Sequence, residues 1–211
     1  MIKLAVFDLD GTLFDTRADI VHAVNSARVS LGFVSLPFDR IVAMVGNGVS
    51  VLAGRAFADT SVAPEAALRE IMKHYGPHAS DSSELYAGVA DTLPALRAIL
   101  TVVSNKPKAL IDQLLCKAGI ARLFGFVAGA ETFERMKPDP MALEYLRTTY
   151  GVRPREVVVV GDHAPDVQMA KNGDAWSVYC NYGFFGRDTV GADFAIDSFS
   201  ELPEVIRRLD E

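Results

Sequence analysis

The chain has 211 residues, enough for one large domain or for a core domain carrying a smaller insert, with a sizeable buried core. Half of the residues are hydrophobic and 23% are charged, a balance that excludes an intrinsically disordered chain. The formal net charge of −6, with no Lys/Arg-rich run, speaks against nucleic acid as a partner. The only two cysteines, Cys116 and Cys180, far apart in sequence, form no metal-ligand spacing, and no disulfide framework is expected of them.

The N-terminal residues MIKLAVFDLD lack the regions of a signal peptide, and no apolar run approaches the ~18 residues that a membrane span needs. A cytoplasmic chain with no membrane partner is expected, with reduced cysteines. Residues 3–7 form the first apolar run and read as a buried strand. It ends in Asp8 and Asp10, two like charges one residue apart, followed by Gly11 and Thr12. A strand end has no reason of its own to gather carboxylates that repel.

From residue 16 to residue 85 the rhythm is helical. Ile20, Val21, Val24, Ala27, Val29 and Leu31 precede Gly32; Val49, Leu52, Ala53 and Ala56 follow; then come Ala67, Leu68, Ile71 and Met72 after Pro64. This predicts an all-helical insert over 16–85, with FDT and ELYAG as linkers, on a core of 1–15 and 86–211. A helix starting near Asp91 is expected to run through Leu96 and Ile99 almost directly into the strand 101–104, although connections usually take ~2–6 residues.

Further strands are expected at 124–128 and 157–160, with weaker ones at 176–180 and 194–196. Helices are expected at 107–118, 140–150, 165–171 and 202–209. Cys116 falls on an apolar helix face and is expected in the core. Strands alternating with helices predict an α/β fold, a parallel sheet with helices on both faces.

In open parallel sheets the site lies beyond the carboxyl ends of the strands. Here those ends carry Asp8 and Asp10, then Ser104-Asn105-Lys106, then Lys137 ahead of Pro138, then Gly161-Asp162 with Asp166 four residues on. Carboxylates brought together out of water need a cation. Oxygen ligands without His or Cys suit a hard ion, Mg²⁺ first, and Mg²⁺ pairs with phosphate. Lys137, the Ser104 hydroxyl and backbone N–H groups after Asp8 would hold the remaining phosphate oxygens. Lys106 is expected at the solvated surface. Each residue has a plainer rival role: Asp162 and Asn105 as helix caps, Asp166 as a dipole partner, Arg55 as a solvated helix residue, and His22, His74 and His78 as surface or packing residues.

These residues resemble the four motifs of the haloacid dehalogenase-like phosphohydrolases, in order: DLDGT at 8–12, Ser104-Asn105, Lys137 and GDHAPD at 161–166. The resemblance implies a Rossmann-like core. It implies Asp8 as the nucleophile that forms an aspartyl-phosphate, and Asp10 as the acid that protonates the leaving alkoxide and then the base that activates water. Mg²⁺ would be bound by Asp8, Asp162 and the Asp10 backbone carbonyl, with Asp166 as a ligand or beside one. Gly11, Thr12, Ser104 and Asn105 would surround the phosphate, and Lys137 would complete the catalytic set. Dehalogenases lack an acid at the position of Asp10, so the aspartate favours phosphoryl transfer.

The insert resembles the small cap of the subgroup that includes phosphoglycolate phosphatase, β-phosphoglucomutase and phosphonatase. Segments 45–57 and 74–89 lean towards the phosphoglycolate phosphatases. Gly46, Asn47 and Gly48 would offer N–H groups to a substrate carboxylate, with Arg55 as a further contact. His163 departs from the fourth motif, which more often carries a small hydroxyl there, and Lys73, the lone lysine of the insert, gives no counterpart to a Schiff-base lysine. The expected activity is Mg²⁺-dependent hydrolysis of a small phosphorylated metabolite such as 2-phosphoglycolate, by a monomer or homodimer. A phosphomutase of the β-phosphoglucomutase type and a non-catalytic phosphate-binding module are the alternatives.

Overall fold

The computed structural model describes residues 1–187 and 190–211. Strand β1 (Leu4–Phe7) leads into a short β2 (Phe14–Asp15) and then into helices α1 (Arg17–Ser30), α2 (Phe38–Val42), α3 (Val49–Ala56) and α4 (Pro64–His78). The chain returns through β3 (Glu84–Leu85), α5 (Val89–Thr92) and β4 (Ile99–Val103). It continues through α6 (Lys108–Lys117), β5 (Phe124–Ala128), α7 (Met141–Tyr150), β6 (Val157–Gly161), α8 (Ala164–Asn172), β7 (Trp176–Cys180), β8 (Phe194–Ile196) and α9 (Leu202–Leu209).

Among the described residues, the main sheet has six parallel strands in the order β5-β4-β1-β6-β7-β8. Alternation along the strands sends side chains to two cores. Leu4, Val6, Val157 and Val159 pack with Leu143 and Leu146 of α7 and Met169 of α8, whereas Ala5, Phe7, Val158 and Val160 pack with Ile111 and Leu114 of α6 and Val205 of α9. Helices therefore cover both faces, which is why β6 reads as four consecutive valines. The chain moves outward from β1 to β4 and β5, then crosses to β6 on the other side of β1. That reversal opens a crevice at the carboxyl ends of β1, β4 and β6.

The helices between β2 and β3 close on a cluster of their own, with Ile20, Val24, Ile41, Leu52 and Ile71 buried, and Leu110 of α6 joins it from the core. Arg28, also buried, ties this body together through Nε to Val34 O at 2.7 Å and a two-pronged contact with Asp59 at 2.8 and 3.0 Å. Among the described residues, no helix is long and apolar enough to cross a membrane.

The flanking segments FDT and ELYAG lie side by side, where Phe14 pairs with Leu85 and Asp15 with Glu84 in an antiparallel ribbon. Two local expectations are corrected. The helix near Asp91 stops at Thr92, a 3₁₀ turn over Leu93–Ala95 follows, and Ile99 is already in β4, its N–H donating to Lys3 O at 2.8 Å. Cys116 is exposed, since the buried stripe of α6 runs through Leu110, Ile111, Leu114 and Leu115 and leaves position 116 outside it.

Candidate active site

The sheet delivers Asp8 to the crevice by the last step of β1, where Asp8 N–H donates to Val160 O at 2.9 Å. The chain then turns at once. Gly11 adopts φ +83°, a conformation side chains disfavour, and a Cβ there would lie 2.1 Å from Asp162 Oδ2. Gly183 approaches the other side of the same carboxylate, where a Cβ would lie 2.3 Å from Asp162 Cβ. Asp162 is thus held between two glycines, accepting from Phe184 N–H at 2.7 Å and facing the Thr12 hydroxyl at 3.4 Å.

Asp8, Asp162 and Asp166 offer carboxylate oxygens that all lie within 4.8 Å of one another. Lys137 joins them, its Nζ 2.6 Å from Asp166 Oδ1 and 2.7 Å from Asp8 Oδ1. The second contact is off the line of a directed hydrogen bond, so Asp8 Oδ1 remains a buried acceptor with capacity to spare. Asp166 also accepts from His163 N–H at 3.1 Å, so capping α8 and pairing with Lys137 fall to one carboxylate.

The electrostatics of the group are unbalanced. Burial, then Asp8 and Asp166, push Asp162 well above the usual carboxylate range. Burial pushes Asp166 up to about 6, although Lys137 pulls the other way. Burial also works against the charge of Lys137, but Asp166 and Asp8 more than offset it and raise its pKa above that of a free lysine. One ammonium does not neutralise three carboxylates. The oxygen-only donor set and the spare acceptor on Asp8 fit a hard divalent cation.

A second cluster adjoins the first. Asp10 accepts from the Thr16 hydroxyl at 2.6 Å and from Lys106 Nζ at 2.9 and 3.3 Å, and Lys106 Nζ also meets the Tyr75 hydroxyl. This corrects the expectation of a solvated Lys106, which is buried beneath α4. Burial opposes its charge, but Asp10 and Tyr75 sustain it and hold its pKa above the ordinary lysine value. The Tyr75 hydroxyl is pushed up to about 12, by burial first.

Other expected contacts fall differently. Asn105 spends its side chain on backbone: its amide donates to Gly46 O at 3.1 Å and Lys137 O at 3.2 Å, and its Oδ1 accepts from Lys137 N–H at 3.1 Å. It fastens two loops while lining the cleft. Thr12 is fully buried and turned to Asp162. Ser104, Gly46 and Gly48 line the cleft above Asp8 and Asp10, but Asn47 and Arg55 do not. Arg55 is exposed and donates to Met44 O at 3.0 Å and Asn47 Oδ1 at 3.2 Å, which sets the shape of the loop before α3.

Sequence reasoning missed Thr16, Tyr75, Lys106 and the loop at Gly183-Phe184. Tyr75 follows Ala67 and Ile71 at steps of four, so its place on the inner face of α4 was legible but its contact with the core was not. Lys106 adjoins the Ser104-Asn105 pair, yet nothing local tells a buried lysine from a solvated one.

The family profile of the haloacid dehalogenase-like hydrolases matches residues 5–178. Over 98% of its length the chain is 33% identical to a phosphoglycolate phosphatase of Chromobacterium violaceum, 97% of which is covered. A phosphoglycolate phosphatase of Vibrio parahaemolyticus is 36% identical, with 97% of this chain and 96% of that one covered. The crystal structure of a predicted phosphoglycolate phosphatase from Haemophilus somnus superimposes with a TM-score of 0.93 at 29% identity, covering 97% of this chain and 98% of that one. A match that runs from the first strand of the sheet into β7, among relatives covered over nearly their whole length, carries one conclusion: this chain belongs to the haloacid dehalogenase-like hydrolases.

Proposed function

We propose that this phosphatase is a Mg²⁺-dependent phosphomonoester hydrolase that works through an aspartyl-phosphate on Asp8, with a small phosphorylated acid such as 2-phosphoglycolate as substrate. The observation that carries the reading is the placing of one buried ammonium, Lys137, between Asp8 and Asp166, with Asp162 completing an acidic group that calls for a further cation. The names of the relatives support the choice of substrate.

A carboxylate oxygen of Asp8 attacks phosphorus while the bond from phosphorus to the ester oxygen breaks. Asp10 gives its proton to that oxygen, and the alcohol leaves. Asp10 then takes a proton from water, the water oxygen attacks the acyl phosphate, and inorganic phosphate and the free Asp8 carboxylate are regenerated. Thr16 and Lys106 keep the Asp10 carboxylate in place between the two steps. Lys137 stabilises the charge on Asp8 and on the phosphoryl oxygens, and Ser104 offers its hydroxyl to one of them. Mg²⁺ held by Asp8, Asp162 and the Asp10 backbone carbonyl, with Asp166 beside them, would neutralise charge on the phosphoryl group.

Residues 16–85 act in this reading as a cap over a core made of 1–15 and 86–211, since Tyr75 brings α4 into contact with Lys106 at the reaction centre. The test is phosphate release over a panel of small phosphoesters with Mg²⁺, compared with the Asp8→Asn variant and with a chelator. Turnover that survives Asp8→Asn refutes the covalent route, and turnover that survives chelation refutes the metal. A phosphoryl group returned to substrate, with no phosphate released, would favour a mutase.

A further inference from the structure

Among the described residues lining the cleft, Lys106 is the one with a permanent positive charge. Lys137 lies outside the lining, and Arg55 is exposed elsewhere. Much of the remaining wall is apolar, with Ile20, Val45, Val49, Leu52, Phe184 and Phe185. Such a wall gives no hold to a leaving group rich in hydroxyls, and it strengthens any charge pair formed inside it.

We infer that Lys106, with the Tyr75 hydroxyl beside it, receives the carboxylate of the substrate's leaving group and so selects phosphate esters of short 2-hydroxy acids over esters of neutral alcohols. The inference rests on the phosphomonoesterase reading above, in which Asp10 touches the ester oxygen. Lys106 Nζ stands 2.9 Å from Asp10 Oδ1, one hydrogen bond beyond the group that meets that oxygen. In a 2-hydroxy acid the carboxylate is attached to the very carbon that bears the ester oxygen, so it falls beside Asp10 on the Lys106 side. The ammonium has three protons and three contacts, with Asp10 Oδ1 at 2.9 Å, Asp10 Oδ2 at 3.3 Å and the Tyr75 hydroxyl, and the long 3.3 Å contact is the one a ligand carboxylate would take over.

Charge complementarity argues the same way: a buried ammonium in a largely apolar wall gains more from a carboxylate than from a neutral alcohol. The loop Gly46-Asn47-Gly48 then shapes the cleft, and the charge recognition falls to the core lysine.

The experiment compares kcat/KM for 2-phosphoglycolate and for ethyl phosphate, with Mg²⁺ present, in the wild type, Lys106→Met and Tyr75→Phe, with thermal unfolding of each. The ratio of the two constants is expected to fall roughly 100-fold in Lys106→Met and about 10-fold in Tyr75→Phe, mostly through KM for 2-phosphoglycolate. A ratio unchanged in both variants overturns the inference and leaves Lys106 as a support for Asp10. If Lys106→Met does not fold, Tyr75→Phe, which keeps the ring packed, decides. A wild type that turns over both esters equally overturns the inference while sparing the phosphatase reading. Release from neither of these esters, nor from p-nitrophenyl phosphate, removes that reading and the inference with it.

Discussion

Lys137 Nζ lies 2.6 Å from Asp166 Oδ1, a buried ion pair between the segment after β5 and the first turn of α8. The same ammonium reaches Asp8, so one lysine serves as counter-ion to residues from two different strand ends. Lys137→Met leaves the acidic group without its internal cation. Turnover is expected to drop by about three orders of magnitude or more, and urea unfolding in a chelating buffer should show a loss of about 3–5 kcal/mol. Mg²⁺ should restore part of the stability and little of the turnover. Wild-type stability in that variant would mean that Lys137 is not the principal counter-charge.

Asn105 and Ser104 are neighbours with different duties. Both line the cleft, but the Asn105 side chain is spent on the backbone of Lys137 and of Gly46. Asn105→Ala is expected to lower kcat about 10- to 100-fold by letting Lys137 drift, and to cost about 1–3 kcal/mol of stability through unsatisfied backbone groups. Ser104→Ala should leave the melting temperature close to wild type while reducing kcat/KM. Steady-state kinetics beside thermal melts distinguish them; identical profiles would refute the division of labour.

Gly183 offers a steric test of the proposed metal site. Its φ carries no strain argument, so Gly183→Ala acts through the Cβ that would stand 2.3 Å from Asp162 Cβ. Displacing Asp162 should weaken Mg²⁺ binding about 10-fold or more, read as the Mg²⁺ concentration that half-restores the melting temperature. An unshifted titration would show that Asp162 is not a ligand.

The pH dependence of metal stabilisation follows from Asp166 and Asp162, both raised by burial, Asp166 to about 6. For an acid whose pKa is raised by folding, the native state binds a proton that the unfolded chain has already released. Without metal, the stabilisation linked to that proton is present at low pH and is lost as pH rises through the folded value. A divalent ion must displace the same proton. The rise in Tm caused by Mg²⁺ is therefore expected to be large at pH 7.5 and to shrink by pH 5.5, as differential scanning calorimetry at the two pH values would record. A rise of equal size at both would contradict the assignment of these carboxylates to the ion.

The sheet was legible because its strands are short runs of β-branched and aromatic residues separated by helical spacing. The four valines of β6 and the apolar stripe of α6 state their burial on both faces and on one face. Boundaries that depend on pairing were not legible: Ile99 belongs to β4 because Lys3 and Leu4 lie alongside it, and the ribbon of β2 with β3 exists because two segments some seventy residues apart leave and re-enter the core together.

The sequence by itself determined that Asp8, Asp10, Ser104, Lys137, Asp162 and Asp166 stand at or just beyond strand ends, since a parallel sheet turns every such end towards one rim. Only the tertiary structure decided how they divide: Lys137 with Asp8 and Asp166, Lys106 with Asp10 and Tyr75, and Asn105 with the backbone of two loops. Local sequence records which groups a segment carries. Whether an ammonium meets water or a carboxylate depends on the partner that another segment brings across the cleft, and that choice is made by packing.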